Sequence, residues 1–299
     1  MMDREAWLLE RMTGIGGSDA AAVMGLSKWR TPLDVFLDKR GEGSPVVENE
    51  SMRWGTVLEP AIRQEYAERT GQVVRVPEAI IRHPQRPYML ATLDGVTDSG
   101  RLLEIKTARN AEGWGEVGTS DIPEAYLIQV QHYLTVTALS VADVAVLISG
   151  SDFRIYEVPA DPELQDLIVG AESSFWRMVE AGEPPPPKTA EDAMRRFRTV
   201  RPGASVTATQ EIEDIVANLA RMRTAAAELE GMQDAHKALV MGFMGDAETL
   251  VDLKGNALVT WKQQKGAARF DTAAFKADPP DLYAEYVKAG EPTRRFLLK

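Results

Sequence analysis

The sequence predicts an α/β (α+β) fold, a mixed central β-sheet flanked by helices, followed by a C-terminal extension of one long helix and a β-hairpin. Three observations carry this. Segments of helical and of strand period are interleaved without the regular alternation of a doubly wound fold. The run EPPPPK at Glu183–Lys188 stops the preceding helix and forms a stiff polyproline II spacer. Beyond it the pattern changes to a long amphipathic stretch and two short strand-like runs. The expected divisions are therefore a core over 1–183, a Pro-rich linker over 184–207 and an extension over 208–299.

In chain order, helices are expected over Arg4–Met12, Ser18–Met24, Pro32–Lys39, Met52–Thr70, Ile122–Ala138 and Pro162–Ala181, several opened by Ser, Thr or Asp. Strands are expected over Val73–Val76, Ala79–Arg82, Tyr88–Asp94, Leu102–Thr107, Asp143–Ile148 and Phe153–Val158, with turn residues between them. In the extension, Thr209–Phe243 reads as one long helix or a helical hairpin. Thr249–Leu253 and Ala257–Gln263 read as a hairpin about Lys254-Gly255-Asn256, and a short helix and a terminal strand, Arg294–Leu298, follow.

Composition narrows the function classes. Of 299 residues, 44% are apolar and 26% charged, an ordinary globular balance. No apolar run is long enough to span a bilayer, and the opening MMDREAWLLE is acidic, so a cytoplasmic protein is expected. There is no cysteine, which removes disulfides, thiolate zinc sites, iron–sulfur clusters and any thiol nucleophile. A metal would have to sit on oxygen or imidazole ligands. Residues 191–299 carry 16 basic and 16 acidic side chains, so the whole net charge of −11 belongs to the first 190 residues. That part either avoids polyanions or binds cations that meet them.

Two runs place acids in apolar strands: Ala91-Thr92-Leu93-Asp94-Gly95 and Leu102-Leu103-Glu104-Ile105-Lys106-Thr107. A turn at Ser99-Gly100 would fold one beside the other. Period-two alternation then puts Glu104 and Lys106 on one face, with Leu103 and Ile105 on the other. Two carboxylates beside a lysine suit a hard divalent cation that keeps some of its waters; a structural ion pair is the competing reading. Asp252-Leu253-Lys254 has the same acid–x–lysine spacing, but its lysine lies at the hairpin turn and reads as solvated. Glu59 lies at the edge of the stripe Leu58, Ile62, Tyr66, and Gln129 and Tyr133 share a helix face at i and i+4. Near the N-terminus, Thr13-Gly14-Ile15-Gly16-Gly17-Ser18-Asp19-Ala20 is a glycine-rich turn into a helix, with Ser18 as the expected N-cap and Arg11 nearby, an arrangement suited to an anion. His83, His132 and His236 form no ligand spacing, and His132 falls off the Gln129–Tyr133 face.

Taken in order, Arg11, Gly-Gly-Ser18-Asp19-Ala, Trp54-Gly-x-x-Leu-Glu59-Pro, Leu93-Asp94-Gly, Glu104-Ile-Lys106-Thr and Gln129-x-x-x-Tyr133 resemble the lambda exonuclease and YqaJ-type viral recombinase family of the PD-(D/E)xK nuclease superfamily. The resemblance covers roughly residues 7–150. It implies a restriction-endonuclease-like core that degrades one strand of linear duplex DNA from its 5′ end, leaving 3′ overhangs for recombination. It implies Asp94, Glu104 and the Ile105 carbonyl as ligands of magnesium, for which manganese may substitute, with two ions about 4 Å apart if both bind. Lys106 would help activate the attacking water, Glu59 would support the metal site and Gln129 would orient Lys106 or the water. Tyr133 matches the helix motif, and Arg11 and Ser18 would line a 5′-phosphate pocket. Arg53, Arg63, Arg101 and Arg109 are candidates for gripping the DNA backbone. The implied partners are duplex DNA ends, a single-strand annealing protein and further copies of the chain, ring trimers in the best-known members, in a phage or prophage setting. An endonuclease of the same superfamily and a catalytically silent DNA-end scaffold are the alternatives.

Overall fold

The structure, a computed structural model, describes residues 4–43, 48–277, 280–288 and 293–298. The chain divides into two units, Met1–Phe197 and Arg198–Lys299. The first unit begins with α1 (Arg4–Met12), β1 (Ile15–Gly16), α2 (Gly17–Val23), α3 (Pro32–Lys39) and α4 (Glu50–Thr70). A meander of β2 (Val74–Arg75), β3 (Ile81–His83), β4 (Arg86–Ala91), β5 (Gly95–Thr97) and β6 (Leu102–Ala108) follows. α5 (Glu124–Thr137) then connects to β7 (Val141–Ile148), β8 (Asp152–Pro159), α6 (Pro162–Ala181) and α7 (Ala190–Arg196).

Five strands form a mixed sheet in the order β2-β5-β6-β7-β8, in which only β6 and β7 are parallel, as the helical crossover between them requires. β1, β4 and β3 form a separate three-stranded sheet, β1 parallel to β4. The expected strand Tyr88–Asp94 is therefore cut short, and Asp94 lies outside it. β4 ends at Ala91, the chain bends, and β5 starts at Gly95 in the other sheet. Gly100, with φ +81°, closes the β5–β6 turn in a conformation that only glycine adopts without strain.

Alternation along β6 separates two cores. Leu103 and Ile105 pack with Ile62 and Tyr66 of α4, while Leu102 packs with Val130 and Leu134 of α5 on the opposite face. The sheet is thus held between α4 and α5, and Glu104 lies on the α5 side. α2 fills the space behind α5: Ala20 and Ala21 meet Ile128 and Ile168, and Ala22 and Val23 join Phe36 and Phe175. α3 starts with Thr31 as cap and Pro32 in the first turn; α4 starts at Asn49, whose side chain accepts from the Met52 N–H at 3.0 Å.

Three further expectations differ from the structure. The stretch 184–207 is expected as linker, but 184–197 belongs to the first unit. There Asp192 is buried and takes hydrogen bonds from Thr31 Oγ1 (2.9 Å) and the Lys188 N–H (3.0 Å), and Arg195 pairs with Asp34 at 2.6 Å. α2 starts one residue before Ser18: Gly16 is its cap, and the Asp19 carboxylate accepts the Gly16 N–H at 3.3 Å. In the second unit, α8 (Gln210–Met244) is a single helix of 35 residues, followed by the antiparallel pair β9 (Thr249–Val251) and β10 (Ala257–Thr260), then α9 (Thr272–Ala277) and α10 (Pro280–Tyr286). The expected strand at Arg294–Leu298 is irregular backbone, with no neighbouring strand to pair it among the described residues. The Asp252 carboxylate accepts the N–H groups of Lys254 and Asn256, each at 2.8 Å, so this acid holds a turn.

Arg101 ties together the ends of β6, β7 and β8. Its guanidinium forks onto Asp143 at 2.6 and 2.8 Å and reaches Glu157 at 2.6 Å, while the buried Tyr66 hydroxyl donates to the same Asp143 at 2.5 Å. Hydrogen bonds to charged groups contribute roughly 1.5–3 kcal/mol each. Arg101→Ala is therefore expected to lower the unfolding free energy by about 2 kcal/mol. Urea denaturation followed by circular dichroism checks this; an unchanged midpoint would contradict it.

Candidate active site

The bend between β4 and β5 and the alternation of β6 bring the two acids together. Asp94 sits at the bend rather than within a strand, and its Oδ2 accepts the Ile105 N–H at 2.7 Å, tying it across to β6. Its own carbonyl accepts the Arg63 Nε–H at 2.9 Å, and Arg63 also binds the Glu59 carboxylate one turn earlier on α4. Glu59 is thus near the pair but is held by Arg63. Glu104 is 2% exposed. Its Oε1 accepts from Lys106 Nζ at 2.5 Å and from Gln129 Nε2 at 2.6 Å, and Lys106 Nζ also donates to Gln129 Oε1 at 3.2 Å. The Gln129 amide therefore meets both members of the pair. Tyr133, one turn on, lies with its hydroxyl 3.4 Å from Gln129 Nε2.

Among the described residues the second oxygen of Glu104 is buried with no hydrogen-bond partner. An orphaned carboxylate oxygen is costly unless a cation or water meets it. Charge balance points the same way. Burial raises the Asp94 carboxyl well above the ordinary carboxylate range, and the Glu104 charge raises it further, against the pull of Lys106 and of the Ile105 N–H. Burial raises Glu104 as well, although Lys106 opposes it. Burial alone would lower Lys106, but Glu104 and Asp94 overcome it and keep the amine charged. Two carboxylates thus face one ammonium, with Arg63 spent on Glu59. Among the described residues no three acidic or histidine side chains gather into a cage. Two carboxylates suit a hard cation that keeps part of its water shell.

Behind this pair lies a cluster of charges around α2. Asp19 is fully buried and meets Lys39 at 2.7 Å, Arg30 at 2.9 Å and Arg11 at 3.8 Å. Arg11 Nη2 donates to Ser18 Oγ at 2.9 Å, so the two residues expected to line an anion pocket do meet. Burial alone would raise Asp19, but Lys39 and the two arginines hold it at about 2. Asp38 takes up the other end of Arg30, leaving three cations against two carboxylates. Gly17 allows this cluster to approach the acids: a Cβ there would lie 2.5 Å from the Tyr133 ring and 3.0 Å from Gln129 Cγ.

Two features are not visible in the sequence pattern. His132 is fully buried, its Nδ1 2.7 Å from Glu172 and its Nε2 2.9 Å from the Leu90 carbonyl. Burial would lower its pKa, but Glu172 reverses this and favours the charged ring. An acid on α6 forty residues away leaves no local sequence signal. Lys39 is the other, an amine drawn into the interior by Asp19. Of the four candidate arginines, Arg101 and Arg63 have the internal partners given above. Arg109 reaches Ser51 at 3.3 Å, and Arg53 lies 3.8 Å from Glu50 on exposed surface. Only the latter two keep guanidinium groups open to a ligand.

Residues 6–140 match the YqaJ-like viral recombinase domain family. Over 310 aligned positions the chain is 35% identical to the uncharacterized protein YqaJ of Bacillus subtilis (strain 168), covering 100% of this chain and 95% of that protein. Over 65% of its length the chain shares its fold with an alkaline exonuclease, LHK-Exo from Laribacter hongkongensis, at 21% identity and a TM-score of 0.51, with 98% of that chain covered. A complex of LHK-Exo with dAMP aligns similarly, at 22% identity and a TM-score of 0.50. No helix among the described residues is long and apolar enough to cross a membrane.

The close approach at Gly17 is expected to make Gly17→Ala cost about 2 kcal/mol through overpacking against Tyr133. Gly170→Ala, in open space on α6, should instead stabilise by about 0.5–1 kcal/mol. Chemical denaturation of the two variants side by side checks the opposite signs. Asp19 has a folded pKa below its unfolded value, so its contribution is complete above the unfolded pKa and lost as pH falls through the folded one. From 3.8 to about 2 this is worth about 2 kcal/mol. The stability difference between the parent protein and Asp19→Asn should therefore be constant well above the unfolded pKa and shrink by that amount as pH falls toward 2. A difference flat across that window would show that the cations do not hold this carboxylate ionised.

Proposed function

Because the chain belongs to the YqaJ-like viral recombinase family, we propose that its first unit is a metal-dependent deoxyribonuclease, a 5′-to-3′ exonuclease that degrades one strand of linear duplex DNA and leaves 3′ overhangs for strand annealing. The observation that carries this is the pairing of Asp94 with Glu104 beside Lys106, with one Glu104 oxygen buried and unpartnered. In this reading Asp94, Glu104 and the Ile105 carbonyl hold magnesium, or manganese in its place, as one ion or two. Such an ion supplies Lewis acidity toward the scissile phosphate and acidifies a nearby water.

The remaining work falls to side chains of this chain. Lys106 stays charged and is kept beside the carboxylates by Glu104 and Gln129, from where it orients a water and stabilises charge on the phosphate. Gln129, bonded to both partners, fixes the separation of amine and acid. Glu59 assists through Arg63, which holds the Asp94 carbonyl. Arg11 and Ser18 receive the 5′-phosphate, aided by the positive excess around Asp19, and the buried, neutral Tyr133 backs this pocket against Gly17. Duplex ends, a single-strand annealing protein and other copies of the chain are the proposed partners, in a phage or prophage setting within the bacterial cytoplasm.

The test is digestion of 5′-phosphorylated linear duplex against closed circular duplex, each with magnesium and with chelator. Loss of the linear substrate alone, with magnesium only, is the expected result. Glu104→Ala and Lys106→Ala should each lower the rate by about 10²-fold or more, and Arg11→Ala should erase the preference for a 5′-phosphate over a 5′-hydroxyl end. Cutting of the circle would move the assignment to an endonuclease. End binding without digestion would leave a catalytically silent scaffold.

A further inference from the structure

The second unit carries one stretch whose chemistry the nuclease reading leaves unused. From Leu253 to Phe270 there is no acidic residue, although the chain as a whole is acidic. The latter part of it, WKQQKGAARF at Trp261–Phe270, sets three cations between two aromatic residues. The backbone there is irregular from the end of β10 at Thr260 onward. It is fastened at each end. The Trp261 N–H donates to the Glu248 carbonyl at 2.9 Å, and the Phe270 ring meets Phe275 of α9 edge-on, 4.9 Å between ring centres. Phe275 in turn lies 6.3 Å from the ring of Tyr283 on α10. Between those ends, no backbone N–H of residues 262–270 finds a protein acceptor among the described residues.

The side chains are equally unengaged. Lys262, Lys265 and Arg269 are exposed, and none of them makes an ion pair or a side-chain hydrogen bond among the described residues. Trp261 is 46% and Phe270 71% exposed. A solvated connector needs neither ring, and each forgoes much of the burial that large aromatic side chains ordinarily contribute. Trp261 also lines an open groove of about 580 Å³ along α8. Leu229, Val240 and Val259 give that groove apolar walls, and Gln233 and His236 give it hydrogen-bonding groups.

We infer that this segment is a binding site for single-stranded DNA. The cations and the open backbone N–H groups take the phosphates, and the faces of Trp261 and Phe270 stack unpaired bases. The groove beside Trp261 admits a base between apolar walls, with Gln233 and His236 at its polar edge. Cations spaced along an open chain between two rings, rather than gathered at one point, match a polymer of regularly spaced charges and planar groups. Duplex DNA offers the same phosphates but keeps its base faces stacked inside the helix, so it does not engage the rings. The strand held here is the 3′ overhang that the first unit leaves. Its origin rests on the exonuclease reading, whereas the site does not.

The test is binding of a fluorescein-labelled oligothymidylate to the full chain, read by anisotropy, with chelator present so that no strand is cut. Replacing Lys262, Lys265 and Arg269 together by Gln should weaken binding and lessen the slope of log K against log salt concentration by about 2, at roughly 0.7 per phosphate contact. Trp261→Ala and Phe270→Ala should each weaken binding about tenfold with the slope unchanged, and Trp261→Phe should recover most of the loss. Neither aromatic variant should alter the affinity for a duplex of the same length. Circular dichroism of each variant establishes that the fold is kept. A parent protein that does not bind the oligomer, a slope unmoved by the triple variant, or alanine variants that bind as the parent does would each overturn the proposal. An equal loss of duplex affinity in the alanine variants would overturn it too. Digestion is a separate readout: a chain that meets these expectations but never digests linear duplex would remove the exonuclease reading and leave the site in place.

Discussion

A carboxylate removed from water must be met by something, and much of the first unit follows from how Glu104 is met. The penalty for burying such an ion is several kcal/mol. Lys106, two residues along the same strand face, offsets part of it, and Gln129 of α5 offsets more. For Gln129 to reach, α5 must lie close on that face of β6, while Leu103 and Ile105 on the other face hold α4. The position of α5 in turn requires α2 to close on it without a Cβ at Gly17. The hydrophobic layers and the polar site are thus solved by the same placement of helices, and the remaining Glu104 oxygen is the part of the burial cost that the protein itself leaves unmet.

Whatever depends on local period is legible in the sequence. The alternation of β6 by itself assigns Glu104 and Lys106 to one face, and the four-residue spacing sets Gln129 and Tyr133 on one side of α5. The bend at Asp94 is not legible in this way. The apolar run from Tyr88 onward has uninterrupted strand character, and only the switch to a second sheet shows that it breaks at Ala91. His132 leaves the Gln129–Tyr133 face, which on a helix with a wet side would turn it toward solvent. α5 has little wet side: residues 128–134 are all buried, between the sheet, α2 and α6, so leaving one packed face means entering another. Arg101 illustrates a different limit. Its long charged side chain reads the same in sequence whether it faces solvent or forks onto Asp143.

The proline run shows how composition can mislead about boundaries. α6 ends at Ala181 on Gly182, whose φ of +69° turns the chain out of the helix just before the four prolines. The chain beyond them is nevertheless bound back onto α3 by Asp192 and Arg195, and Arg196 donates to the Pro185 carbonyl at 2.8 Å. The stiffness that suits a spacer suits equally a strap, which loses little entropy on docking because it has little to lose.

His132 has a hydrogen-bond acceptor at each ring nitrogen. A ring that donates at both ends has no lone pair to offer a metal. It is instead a two-ended bolt through the back of α5, one end in α6 and the other in the backbone of β4, one residue before that strand ends at Ala91 and the chain bends toward Asp94. A slip of α5 along its axis by one residue, about 1.5 Å, would break a charged contact at one end and a neutral one at the other. The reach of Gln129 toward Glu104 is therefore indexed from the rear of the helix, by groups that never face a ligand.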